Sequence, residues 1–181
     1  MQQSIVDKYF KEDEEMLRLR PYKKSDAKYL LNWINDEKLF SMWSANKFQY
    51  PLTEYQLDKY KEKFEDDENG WITTAIDEKG TPVGHFFMIT ADYVKGSIYM
   101  GFIVVDPEVR GKGYGKEMVE LAIKYAFEIL KLSRITLNVF DTNPTAHNCY
   151  KKVGFVDENY IERNFPYKDE LWGTYYMAIE R

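Results

Sequence analysis

The sequence predicts one α/β (α+β) domain, in which a mixed β-sheet carries helices on its faces. Segments with alternating apolar residues recur along the chain, and segments with apolar residues three or four positions apart lie between them. Their order is strand, two helices, three strands, helix, strand, helix and two strands, which gives seven strands and four helices. The 181 residues are enough for one domain with a full hydrophobic core.

The first predicted elements are a short strand and an amphipathic helix. Residues 16–20 alternate apolar and basic side chains, and Pro21 ends this strand. Ser25 is expected to cap a helix over residues 26–35. The aromatic segment that follows, residues 40–51, is predicted to be a loop.

The second predicted helix covers residues 54–64 and is followed by strands. Thr53 and Gln56 have the spacing of a capping box, which marks the start of a helix. The four residues 77–80 are typical of a hairpin turn. Three strands are predicted in this region, over residues 71–76, 81–90 and 97–105.

The remaining elements are two helices and three strands. A long amphipathic helix over about 116–132 leads to a strand over 135–139, which predicts a parallel strand pair with a right-handed crossover. Asn143 and Pro144 are the cap and first residue of another helix, and Gly154 closes it. The final hairpin is predicted from two strands, over residues 155–165 and 171–179.

Composition and charge exclude several classes of protein. The 44% hydrophobic and 30% charged content is typical of a globular domain, and no apolar run approaches the ~20 residues of a membrane span. The net charge of −5 argues against nucleic-acid binding through the phosphate backbone. A single cysteine, Cys149, excludes an internal disulfide and a cysteine-rich metal site, so no metal is expected. Residues 1–15 read as a polar extension without an apolar leader, residues 16–181 as the domain, and the expected location is cytoplasmic.

A glycine-rich loop between a strand and a helix is the most informative segment. Its spacing matches neither a P-loop, which needs G-x-x-x-x-G-K-[ST], nor a dinucleotide-binding loop, which needs G-x-G-x-x-G. Glycines before a helix N-terminus let backbone N–H groups approach an anion, which predicts a pyrophosphate site; the alternative is a turn with solvated lysines. The candidate binding residues are Arg110, Gly111, Lys112, Gly113, Tyr114, Gly115 and Lys116.

Two signatures resemble those of the GNAT acetyltransferase superfamily. The acetyl-CoA loop pattern (R/Q)-x-x-G-x-(G/A) is matched by Arg110, Gly113 and Gly115. The second pattern is N-x-x-A-x-x-x-Y-x-x-x-G-F. It is matched by Asn143, Ala146, Tyr150, Gly154 and Phe155. The resemblance spans residues 103–155, and the element order over 16–180 also fits it.

The resemblance implies a fold, a cofactor site and a reaction. The fold is a mostly antiparallel twisted sheet of about seven strands with about four helices, whose central parallel pair splays apart. Acetyl-CoA, the co-substrate, enters this gap, and an amine attacks its thioester directly in a ternary complex. Tyr150 stands at the family's general-acid position. The pantetheine arm is expected to contact backbone groups of Ile103, Val104 and Val105, together with Asn143 and Asn148.

Alternatives remain for the activity and for the general base. A CoA-binding sensor without catalysis, or transfer of a longer acyl group, would use the same fold. Tyr99 stands where some family members carry a glutamate, so no base is assigned. The open candidates for a base are His85, His147, Asp92, Glu158 and a water chain.

The acceptor is expected to be a small-molecule or peptide amine. Aromatic residues of the first helices and last hairpin, with the acidic neighbours Asp36, Glu37, Glu162 and Asp169, would form an aromatic, acidic cleft suited to a cation. The aromatic residues in question are Trp33, Trp43, Phe48, Tyr50, Tyr160, Phe165, Tyr167 and Trp172. The start of the domain and the Trp33 region resemble the branch containing ribosomal-protein N-terminal acetyltransferases. A homodimer is possible.

Overall fold

Seven strands form one sheet in residues 17–181, the part of the chain that this computed structural model describes. The predicted extension, residues 1–15, lies outside the described residues. The strand order is β1-β2-β3-β4-β5-β7-β6, and every neighbouring pair is antiparallel except β4 and β5. The strands are β1 (Arg18–Pro21), β2 (Trp71–Ile76), β3 (Pro82–Asp92), β4 (Ser97–Val105), β5 (Arg134–Phe140), β6 (Val156–Tyr167) and β7 (Glu170–Glu180).

The parallel pair at the centre of the sheet is joined only at its beginning. The paired residues are Ser97 with Arg134, Ile98 with Ile135 and Tyr99 with Thr136. Beyond Tyr99 both strands continue without pairing with each other, and each pairs on its other side with β3 or β7. The predicted fold class and the splayed parallel pair are therefore confirmed.

Five α-helices lie in the described residues, one more than the sequence predicted. They are α1 (Ala27–Trp33), α2 (Glu37–Ser44), α3 (Glu54–Glu65), α4 (Tyr114–Lys124) and α5 (Pro144–Lys152). The prediction of a loop over 40–51 was wrong for its first five residues, which belong to α2. The Asp36 side chain caps α2 by accepting a hydrogen bond from Leu39 N, and Ala45 ends it in a left-handed conformation.

The ends of the other elements differ from prediction in local detail. A 3₁₀ turn over Lys24–Asp26 precedes α1, and the expected Ser25 cap does not form, because Asp26 occupies the cap position. After α4 the chain makes a π-helical turn over Tyr125–Ile129 instead of continuing the α-helix. Thr53 caps α3 as predicted, accepting from Gln56 N at 3.3 Å.

Two hydrophobic clusters hold helices against the two faces of the sheet. One cluster packs α4 and Tyr150 of α5 against β3, β4 and β5, with Met118, Ala122 and Ile135 among its most buried members. The other packs α1, α2 and α3 against the opposite face around Trp33, Phe40 and Leu57. Because β4 and β5 diverge between these layers, the sheet opens between the helices of the two clusters.

Candidate active site

A cavity of about 1010 Å³ occupies the opening between β4 and β5. Gly101 and Ile103 line it from β4, Asn138 lines it from β5, and Asn143 and Tyr150 line it from α5. The opposite wall is formed by α2, the segment after it, and α3. The splay therefore creates a space into which residues from both sides of the sheet project.

A β-bulge in β4 contributes to the opening. Two residues, Phe102 and Ile103, lie opposite one residue of β3, which shifts the register between the pairs His85–Val104 and Phe87–Gly101. Phe102 has a left-handed φ of 51°, and its carbonyl oxygen accepts a hydrogen bond of 2.8 Å from Trp43 Nε1. This bond fixes the carbonyl toward α2.

Tyr150 lies on the wall of the cavity and is almost fully buried. Its hydroxyl has no hydrogen-bond partner in residues 17–181, so the phenolic proton is available to a ligand. Burial raises the pKa of Tyr150 well above its ordinary value, with smaller contributions from Cys149 and Tyr99. The phenol therefore remains protonated at neutral pH and can act as a proton donor.

The two asparagines predicted to contact the cofactor occupy different places. Asn143 caps α5, with its Oδ1 accepting from Ala146 N at 3.2 Å, and it lines the cavity. Its Nδ2 group is left for another acceptor. Asn148 is exposed and does not line the cavity, so the two asparagines are not brought together there.

The glycine loop lies outside the cavity, at the N-terminus of α4. Gly111 and Gly113 have φ values of 81° and 90°, a conformation that favours glycine. A Cβ atom built on either residue would meet nothing within 4 Å. The first N–H groups of α4 lack intrahelical partners, and Arg110, Lys112 and Lys116 are exposed around them. These features suit a pyrophosphate group.

The three β4 residues predicted to bind pantetheine lie beyond the part of the strand that pairs with β5. Ile103 lines the cavity, Val104 is buried and Val105 is half-buried. Val104 and Val105 pair with β3 on one side, while their other edge faces the gap left by β5. That edge carries backbone groups free of strand pairing, as binding of an amide-containing chain requires.

Cys149, next to Tyr150 in the chain, does not line the cavity and is half-buried. Burial raises the pKa of its thiol above the ordinary value. The thiol form is a weak nucleophile. These features are those of a packing residue rather than of a nucleophile.

None of the four side chains left open as bases by the sequence lines the cavity, although His85 Nε2 lies 3.3 Å from the hydroxyl of Tyr60, which does. His85 is fully buried in β3, and His147 contacts Asp157 at 2.6 Å and stacks on Tyr175. Asp92 caps a turn, and Glu158 pairs with Arg134 at 2.5 Å. Tyr99 lines the cavity, and burial raises its pKa. Within residues 17–181, no carboxylate or imidazole lines the cavity.

The expected acidic character of the cleft is not observed. None of the four acidic residues proposed for it lines the cavity. Asp36 caps α2, and Glu37 forms an ion pair of 2.7 Å with Lys168. Of the eight aromatic residues, Trp43, Phe48 and Phe165 line the cavity. Trp33 and Trp172 are instead fully buried core residues.

Three lysines on the cavity wall were missed in the sequence. Lys47 follows α2, and Lys59 and Lys63 lie on α3. The side of α3 that faces the cavity carries Tyr55, Gln56, Lys59, Tyr60, Lys63 and Phe64. This spacing places the six residues on one side of the helix, which the sequence alone indicates. Which face points at the cavity is decided only by tertiary packing.

His85 should make the fold sensitive to acid. Burial lowers the pKa of His85 to about 3, against a smaller raising effect of Asp26, while the ordinary value is 6.5. The unfolded chain therefore binds a proton that the folded chain excludes, and stability falls as pH drops from 6.5 toward 3. We expect urea denaturation to show a loss on the order of 2 kcal/mol between pH 7 and pH 5.

The matched variant for this prediction is His85→Gln, which keeps a polar side chain but does not titrate. Its unfolding free energy should change less between the same two pH values than that of the unchanged protein. An identical pH dependence in both proteins would contradict the assignment to His85.

Residues 17–181 contain no group of three or more His, Cys, Asp or Glu side chains placed to hold a metal ion. The helices of this described part are also too short or too polar to cross a membrane.

The sequence and structure are similar to those of known acetyltransferases. The chain is 28% identical to the spermidine N(1)-acetyltransferase of Vibrio cholerae over 150 residues, 82% of this chain and 84% of the relative. It is 31% identical to the probable N-acetyltransferase YjcK of Bacillus subtilis over 157 residues, 81% of this chain and 83% of that one. A crystal structure of the Vibrio cholerae enzyme with CoA and spermine superposes with a TM-score of 0.82 at 25% identity, covering 92% of this chain and 96% of that one.

The predicted nearness to ribosomal-protein N-terminal acetyltransferases was wrong, because the similar proteins include spermidine acetyltransferases instead. The wider assignment to the superfamily is confirmed. The acetyltransferase (GNAT) family model matches residues 9–155. The splayed strands, the glycine loop and both signatures lie largely within that match. The chain belongs to the GNAT acetyltransferase family.

Proposed function

We propose that this protein transfers the acetyl group of acetyl-CoA to a primary amine by direct attack in a ternary complex. The observation that carries the proposal is the position of Tyr150, whose unpartnered hydroxyl lines the cavity between β4 and β5. Acetyl-CoA would lie with its thioester in this cavity and its pyrophosphate on residues 110–116. The pantetheine arm would follow residues 103–105 and Asn143, with Asn148 at the exposed end of the site.

The reaction uses few groups of the protein. The amine nitrogen attacks the carbonyl carbon of the thioester, the C–S bond breaks and an amide bond forms. Tyr150 donates its proton to the departing sulfur and regains one from solvent. A thiolate whose conjugate thiol has a pKa near 8.5 is easier to expel when a phenol protonates it.

The attacking amine must lose a proton, and we propose that water takes up this proton. This proposal is supported by the lining of the cavity, which contains neither carboxylate nor imidazole among residues 17–181.

The pH dependence of kcat/KM should be set by the pKa of the acceptor amine rather than by the pKa of a base on the protein. We expect kcat/KM to rise with pH as the free-amine fraction rises, up to the pKa of the acceptor in solution. Two primary amines of different basicity should therefore give profiles displaced by the difference of their pKa values. One inflection near pH 6.5, shared by both amines, would indicate a base on the protein and contradict this mechanism.

Initial-rate kinetics test direct transfer. Varying acetyl-CoA at several fixed amine concentrations should give intersecting double-reciprocal lines, and Cys149→Ser should give the same pattern with unchanged kcat. Parallel lines, together with loss of activity in Cys149→Ser, would indicate an acetylated enzyme and overturn the ternary-complex mechanism.

Two alternatives use the same site. A sensor would bind acetyl-CoA without releasing CoA, and an enzyme for a longer acyl group would prefer that donor at equal concentrations. The names of similar proteins suggest spermidine as an acceptor, a suggestion opposed by the positive lining of this cavity. We also propose that residues 16–181 form one acetyltransferase domain, that the protein is cytoplasmic and that it can form a homodimer.

A further inference from the structure

The charged residues that line the cavity are all positive. Lys47, Lys59 and Lys63 contribute to its wall, and no aspartate or glutamate of residues 17–181 does so. This contrasts with the chain as a whole, which carries 30 acidic and 25 basic residues. The charge of the residues lining the cavity is therefore opposite in sign to the net charge of the chain.

The positive lining of the cavity arises because lysines of α3 face the cavity and the carboxylates of this helix do not. Asp58 pairs with Lys24 at 2.7 Å, and Glu65 pairs with Lys61. Glu62 pairs with Lys59 at 2.6 Å, which offsets one of the three cavity lysines.

Lys47 and Lys63 are not offset in this way. Both are exposed, and neither has an ion-pair partner in the part of the chain from residue 17 onward. Two acidic residues, one on α2 and one on the last hairpin, form ion pairs with other lysines. Glu37 pairs with Lys168 at 2.7 Å and Glu170 with Lys38 at 3.3 Å. Two positive charges therefore face the cavity without compensation.

The wall between these lysines and Tyr150 is aromatic. Trp43 and Phe48 stack with ring centroids 5.4 Å apart, and Phe48 contacts Tyr60 edge to face at 5.6 Å. These rings line the cavity on the side of α2 and α3, whereas Tyr150 lines it from α5. An acceptor that reaches from the lysines to the thioester would pass along this apolar surface.

We infer that the acceptor is an amine with a carboxylate or phosphate group on its far end, held by Lys47 and Lys63. This inference rests on the proposed function and specifies its substrate class. A second ammonium group at that end would be repelled, and an anion would be attracted, by both lysines. The body of the acceptor is apolar or aromatic.

Three rigid amines of matched shape test the inference. 4-(Aminomethyl)benzoate, 4-(aminomethyl)benzamide and 4-(aminomethyl)benzylamine each present a primary amine, with a negative, neutral or positive group at the opposite end. Isothermal titration calorimetry in the presence of CoA measures their binding without requiring turnover. We expect the benzoate to bind about tenfold more tightly than the benzamide and the benzylamine to bind most weakly, since each exposed charge pair contributes modestly.

The lysines themselves are tested by substitution. Lys47→Gln with Lys63→Gln should reduce the preference for the benzoate over the benzamide to about twofold or less, and added salt should act in the same direction. The matched control is Lys61→Gln, which changes a lysine on another face of α3 and should preserve the preference. The control also detects the effect of removing one positive charge from α3 outside the cavity.

The outcomes separate this inference from the proposed function. Tightest binding of the benzoate, with the preference lost in the double variant, supports the inference even if no acetylated product forms; absence of product would instead count against the proposed function. Tighter binding of the benzylamine, a preference unaffected by the double variant, or no detectable binding of the benzoate would overturn the inference.

Discussion

Tyr150→Phe is expected to lower kcat by about a hundredfold or more, because general acid catalysis contributes factors of that order. The substitution removes one hydroxyl group from the cavity wall and leaves the ring in place. Since this hydroxyl bonds to no other group in residues 17–181, its loss should have little effect on folding. Acetyl-CoA affinity should change by less than about threefold, because the hydroxyl acts on the sulfur mainly as the C–S bond breaks.

The control for this prediction is Tyr22→Phe. Tyr22 is also buried, its hydroxyl also has no partner in the described part of the chain, and it lies outside the cavity. Steady-state kinetics should show full activity for this variant. A Tyr150→Phe protein with unchanged kcat would show that another group protonates the leaving sulfur.

Gly113→Val is expected to weaken acetyl-CoA binding by at least about tenfold. Its φ of 90° disfavours a side chain, which costs about 1–2 kcal/mol of folding stability. The space around its missing Cβ is empty of protein atoms, so the side chain would project into the space assigned to the pyrophosphate. The loop would therefore lose its close backbone approach to the anion.

Gly80→Val is the control that separates the effect of backbone strain on stability from the effect of the side chain on ligand binding. Gly80 has a φ of 82° and the same open surroundings, but it lies in the β2–β3 turn away from the glycine loop. Both variants should lose similar stability in urea denaturation, while only Gly113→Val should lose affinity for acetyl-CoA in calorimetry. Equal affinity for acetyl-CoA in both variants would contradict the assignment of the pyrophosphate site to this loop.

Local sequence patterns predicted much of the cofactor side of the site. Asn143, Pro144 and Tyr150 lie on one short helix, so their relative positions follow from helical spacing alone. The glycine loop is likewise a local feature, set by residues between one strand and one helix. The sequence order also indicated the parallel pair, because a strand–helix–strand unit at this spacing is typical of a crossover between parallel strands.

The acceptor side could not be predicted in the same way. The aromatic segment after residue 40 was predicted to be a loop, but its first residues belong to α2, whose N-terminal cap is Asp36. The expected acidic cleft was wrong because none of its four acidic residues lines the cavity; Asp36 caps α2, and Glu37 pairs with the distant Lys168. Which residues of α3 face the cavity depends on how that helix packs on the sheet, so the positive wall became evident only in three dimensions.

The central claim is acetyl transfer to an amine, and release of free CoA thiol measures it most directly. The protein is mixed with acetyl-CoA and a panel of primary amines that includes the three matched compounds, spermidine and a peptide with a free N-terminus. We expect thiol release that requires both acetyl-CoA and an amine, is matched by an equal amount of acetylated amine and is abolished by heat denaturation. Binding of acetyl-CoA without thiol release for any amine would contradict acetyl transfer.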